Sequence, residues 1–183
     1  MHRVHIVLLG FAVFLGRSTC AQERPPQSIT VSDSINLIWK SIANDFVALA
    51  EAMPEDKWNF KPTQGAFTEA RTFAEQVKHV ACANEAWAKK VMQEKQPERC
   101  DIGGPNPAKT KTELIAYLRA SVTEMDDAIA STKAGNSLEP IGGKYWGDNR
   151  LSSLTAAVWH ISDHYGQLVV YARMNGVVPP ASK

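Results

Sequence analysis

The sequence predicts an all-α chain folded as a four-helix bundle, on three observations. Four segments of about 20 to 25 residues carry apolar side chains at alternating spacings of three and four. No stretch shows the two-residue alternation of a half-buried strand, and segments bearing Pro or Gly separate the four periodic ones. Antiparallel or crossover packing of four such amphipathic rods is the simplest way to bury one stripe from each.

At 183 residues, 44% hydrophobic and 21% charged, the chain has the composition of one compact domain rather than of a collagen-like or disordered polymer. Its formal net charge of +1 gives no global field to draw it onto nucleic acid or an anionic membrane, so no nucleic-acid partner is expected.

Residues 1–21 read as a secretory signal peptide. Arg3 supplies the positive start, Ile6 to Leu15 is an apolar run, and Thr19-Cys20-Ala21 places small residues at the cleavage site before Gln22. That run is about 15 Å long as a helix, half of a hydrocarbon core of about 30 Å, so no membrane attachment is expected after cleavage. Arg17 stands where a lipoprotein signal needs an aliphatic residue before Cys20. The expectation is an exported protein, periplasmic or secreted, with a flexible leader over 22–30 and a bundle domain over 31–183. Cleavage leaves three histidines, His79, His160 and His164, and two cysteines, Cys82 and Cys100, facing an oxidising compartment.

The first helix is expected from about Ser32, as N-cap, to Met53, with Ile35, Ile38, Ile42, Phe46, Leu49 and Met53 inward and Pro54 as its stop. Pro54 to Glu69 is a long loop in which Trp58, Phe60 and Phe67 can pin the chain to the bundle. The second helix starts at Thr68 or Arg71 and runs to Gln93 on the stripe Phe73, Val77, Val80, Asn84, Trp87 and Val91. After a Pro/Gly loop, the third runs from about Lys109 to Lys133 on Leu114, Leu118, Val122, Met125 and Ile129. Ser137 to Arg150 is a further long loop, and the fourth helix runs from Leu151 or Ser152 to Asn175 on Leu154, Val158, Ile161, Tyr165, Leu168 and Ala172. Long connections after the first helix and before the fourth leave simple up-down-up-down wiring open.

His160 and His164 are one turn apart and share a helix face, close enough to hold one ion together. They flank the inward stripe of the fourth helix, as His79 flanks that of the second, and bundle interiors are where facing helices build metal sites. A packing role for isolated histidines is the plain alternative. Three neutral imidazoles suit zinc or nickel first, and iron or copper, rather than magnesium or calcium. Three protein ligands leave a coordination position open, the pattern of a catalytic site. Asp163, Gln167 and Tyr171 are candidates to support these ligands from behind.

The segment Trp159-His160-Ile161-Ser162-Asp163-His164-Tyr165-Gly166-Gln167, continuing to Pro179-Pro180, resembles the C-terminal signature of the DinB-like (YfiT-like) metalloenzyme superfamily. Arg71-Thr72-Phe73 followed by His79-Val80-Ala81 and Asn84 is similar to the second-helix pattern of that family, and Trp58-Asn59-Phe60-Lys61-Pro62 to its loop after the first helix. The resemblance implies a four-helix bundle holding a divalent metal through His79, His160 and His164, frequent homodimers, and members that include thiol-dependent S-transferases and a maleylpyruvate isomerase. Export carries this chain away from the compartment where small thiols are abundant, which weighs against a cytosolic thiol-transfer role.

Cys82 lies three residues after His79 but on the helix face away from the inward stripe, which favours a disulfide with Cys100 or an inert thiol over ligation. Trp87, Trp146, Trp159, Tyr165 and Tyr171 can line a pocket or pack in the core; Trp146, in the glycine-bearing loop, is the candidate lid. Asp126 and Asp127 read as solvated surface charges. No Walker loop, Gly-x-Ser-x-Gly elbow or dinucleotide fingerprint is present. Three functions compete: a metal-dependent hydrolase or thiol/S-transferase acting on a small molecule, a non-catalytic metal- or ligand-binding or stress-related dimer, and a bundle whose histidines only pack.

Overall fold

The computed structural model describes residues 28–95, 97, 109–142 and 147–183. The signal peptide, most of the 22–30 leader, Cys100 and Trp146 lie outside the described residues. Four helices form the bundle: α1 (Val31–Ala52), α2 (Phe73–Met92), α3 (Lys111–Ser131) and α4 (Arg150–Met174), with short 3-10 turns at Glu55–Lys57 and Pro180–Ser182. No strand occurs among the described residues, and none of the described helices is long and apolar enough to cross a membrane.

Each helix starts where a side chain can take up its first free N–H groups. Thr30, Thr72, Thr110 and Asn149 are the N-caps, and in every case the residue three positions on, Asp33, Glu75, Glu113 or Ser152, bonds back to the cap N–H. The α1 cap is therefore Thr30 rather than Ser32, because only Thr30 is placed to accept from the Asp33 N–H (3.1 Å). The same device starts α2 at Phe73, the first residue of its apolar stripe and later than the expected start at Thr68 or Arg71. At the other end of α1, Pro54 forces Met53 into an extended conformation (ψ 122°). The α1 terminus has no basic residue of its own, and Lys111 of α3 supplies one, its Nζ bonding to Glu51 O and Met53 O at 2.9 and 2.7 Å.

The α1 stripe holds at Ile35, Phe46, Leu49 and Met53, with Ile42 half-buried, and departs from the expected one at Ile38. Ile38 is 58% exposed, while Trp39 is fully buried with Ala43, Phe46 and Ala50. The Trp39 indole N–H donates to Asp126 Oδ1 (3.0 Å), so Asp126 is a half-buried partner of the core rather than a free surface charge. Burying this large ring outweighs burying Ile38, so Trp39 takes the inward place beside it. On the other helices the expected stripes face inward, with Val122, Val158, Trp87 and Tyr165 at the half-buried margin.

The contacts fix the wiring. Helices α1 and α2 occupy opposite corners, as do α3 and α4. Trp39 meets Asp126 and Glu51 meets Lys111, so α1 and α3 are antiparallel. Glu85 meets Tyr117, and Ala88, Met92, Glu124 and Asp127 wall one crevice, so α2 and α3 run parallel. Gln76 meets Gln167 and Lys90 meets Gly147, so α2 and α4 are antiparallel. The order is up-down-down-up. The end of α2 and the start of α3 accordingly lie at opposite ends of the bundle, about 30 Å apart for a helix of 20 residues.

Candidate metal centre

The antiparallel pair α2 and α4 brings the three histidines together near the middle of the bundle. One ligand nitrogen from each of His79, His160 and His164 lies within 4.8 Å of the other two. His79 Nε2 and His160 Nε2 are 3.0 Å apart, and the ring centroids are separated by 5.0 Å (79 to 160), 4.9 Å (79 to 164) and 4.4 Å (160 to 164). Two nitrogens bound tetrahedrally to one ion at about 2.0 to 2.1 Å stand about 3.3 Å apart, so this cluster accepts an ion with small side-chain adjustments.

The environment holds the rings neutral. Desolvation, with the Arg71 charge and the neighbouring His164, pushes His79 down to about 4. Desolvation and the two other imidazoles push His160 down to about 3. Burial likewise lowers His164, partly offset by Asp163. Neutral imidazole is the form that ligates a cation.

A relay of amides orients His164. Its Nδ1 is 2.5 Å from Gln76 Oε1; Gln76 Nε2 donates to Gln167 Oε1 (2.7 Å), and Gln167 Nε2 donates to Asp163 Oδ2 (2.8 Å). The Asp163 carboxylate only accepts, which turns the Gln167 NH2 toward it and its carbonyl toward Gln76. Gln76 is turned in the same sense, so His164 Nδ1 carries the proton and its Nε2 lone pair is free for an ion. The Nδ1 atoms of His79 and His160 are buried and have no hydrogen-bond partner among the described residues.

Two of the three expected supporting residues, Asp163 and Gln167, thus act through a residue the sequence reading did not single out. Gln76 is 3% exposed and one turn ahead of His79, a polar side chain at an inward position, and that placement was the available signal. Tyr171 is not in the relay: its hydroxyl donates to Arg71 O (3.2 Å) and its ring packs edge-on against Phe60. Trp87 packs edge-on against His160 with centroids 4.9 Å apart, at once core margin and wall of the site. Trp159 is exposed.

Cys82 is fully buried, contrary to the outward face expected for it, because α2 packs against both α3 and α4 and keeps little of its surface free. It is disulfide-bonded and so not available to a cation as a thiolate. The pairing with Cys100 falls outside the described residues.

No curated protein matches the chain. The family model described as DinB superfamily matches residues 39–168, a span that begins at the buried Trp39 and contains all three histidines, Gln76 and the whole relay. A four-helix bundle with this match over most of its length makes the chain a member of the DinB superfamily.

Proposed function

We propose that His79, His160 and His164 hold a divalent transition metal and that the protein is a metal-dependent enzyme of hydrolase or thiol/S-transferase type acting on a small molecule. One observation carries the reading: three imidazoles from two antiparallel helices, with ligand atoms within 4.8 Å and no carboxylate among them, a set that suits zinc or nickel, or iron or copper. When bound, such an ion with an open position acidifies water or holds a thiol as thiolate, supplying a nucleophile at neutral pH.

The protein's own part is to present lone pairs and keep them in place. Burial keeps the rings unprotonated, and the chain Asp163, Gln167, Gln76 fixes the His164 tautomer. Trp87 restricts rotation of the His160 ring from one side. Export through the 1–21 signal belongs to the same reading, and the disulfide at Cys82 supports it, since such bonds persist in oxidising compartments.

The test is metal content of protein purified without an affinity tag, by elemental analysis, for wild type and His160→Ala. One equivalent in the wild type and loss in the variant is expected; equal metal in both, or none in either after zinc and nickel loading, would overturn the site. A screen of esters, amides and thiol-acceptor pairs with loaded and stripped protein then tests turnover, which must depend on the ion.

A further inference from the structure

Arg71, just before the α2 cap, forms part of the wall of two clefts. One, of about 450 Å³, is bounded by Phe67, Val170, Tyr171 and Met174 together with Gln76 and Gln167 of the relay. The other, of about 530 Å³, is polar and includes Lys61 and Lys78. Among the described residues the Arg71 guanidinium makes no hydrogen bond or salt bridge; its backbone carbonyl accepts from Tyr171. Of the two carboxylates that share these walls, Glu75 is committed to the α2 cap, accepting from Thr72 N at 2.7 Å, and Glu69 is exposed at the rim.

The first cleft is two-faced. Phe67, Val170 and Met174 present apolar surface, 41%, 54% and 57% exposed. Gln76 and Gln167 line it, but their amides are spent on each other, on His164 and on Asp163. Recognition of charge therefore falls to Arg71, whose planar fork matches a carboxylate. Arg71 is also near enough for its charge to act on all three histidines.

We propose that the 450 Å³ cleft is the substrate pocket and takes a molecule with a carboxylate and an apolar body, the carboxylate on Arg71 and the body over Phe67, Val170 and Met174. The volume suits a ligand of this class. Calling it a substrate rests on the metal-enzyme reading above; the binding itself does not. The test uses metal-free protein, so that coordination to an ion cannot imitate the arginine. Titrations of 4-phenylbutyrate and its neutral isostere 4-phenylbutyramide are followed by amide chemical shifts. Wild type is expected to bind the carboxylate about tenfold tighter than the amide, Arg71→Gln to erase that preference, and Val170→Asp to weaken both. Equal binding of the two probes, a preference that survives Arg71→Gln, or no binding of either would overturn the proposal. Metal uptake, measured separately, distinguishes the failures: an intact carboxylate preference without uptake sinks only the enzymatic reading, and uptake without the preference sinks only this one.

Discussion

Replacing Gln76 by Leu tests the relay at its most sensitive joint. The Gln76 carbonyl is the acceptor that His164 Nδ1 meets, and the residue is 3% exposed, so solvent cannot take its place. An unpaired buried donor costs about 1 to 3 kcal/mol, and loss of the group behind a histidine ligand typically lowers metal affinity about 10- to 100-fold, or about 1.4 to 2.8 kcal/mol. The two figures agree because they describe one event: without its acceptor the imidazole shifts its proton to Nε2, where the lone pair is needed. Competition with a chromophoric zinc chelator at neutral pH measures the change, with far-UV circular dichroism confirming the fold. Asp163→Asn, at the exposed end of the same relay, should weaken zinc less, since solvent screens that carboxylate. A Gln76→Leu protein that is folded and binds zinc like the wild type would refute the argument that the relay sets the tautomer.

Other outcomes follow from the geometry. In metal-free protein, His79 and His160 titrate near 4 and 3 when folded but near 6.5 when unfolded, so the unfolded chain binds more protons between these values and stability falls as pH drops from 6.5 toward 4. Thermal melts should show Tm about 3 to 6 °C lower at pH 5 than at pH 7, and His79→Ala/His160→Ala should flatten the slope. Thr110→Ala removes the α3 cap far from the histidines and should cost about 1 kcal/mol in urea unfolding with zinc affinity unchanged. Gly147→Ala should cost about 2 kcal/mol by the same assay, because φ is +95° there and an added Cβ would stand 2.9 Å from the Ser152 backbone carbon.

The four helices were legible because each carries a strong period and a polar cap motif; Thr30 to Asp33 and Thr72 to Glu75 could have been read directly from their spacing. The choice of Trp39 over Ile38 on the inner face of α1 was not, since the two compete for adjacent angular positions and only the partner Asp126 decides between them. Periodicity assigns each helix an inner face without naming its neighbour, which is why the parallel course of α2 and α3 could not be read. The histidines were found from spacing and position, whereas Gln76 became visible only once α4 lay against α2. Its role depends on a partner chosen by tertiary structure.

The bonds that tie the three-histidine cluster together between α2 and α4 join distant stretches of chain. His79 and His160 are 81 positions apart, Gln76 and His164 88, and Gln76 and Gln167 91. No hairpin or excised fragment can reproduce such pairings, and closing loops of this size carries an entropic cost met only when the remaining core has consolidated. An ion seated there would act as a rivet across the polypeptide, so its binding should raise the stability of the whole fold in proportion to the logarithm of its concentration.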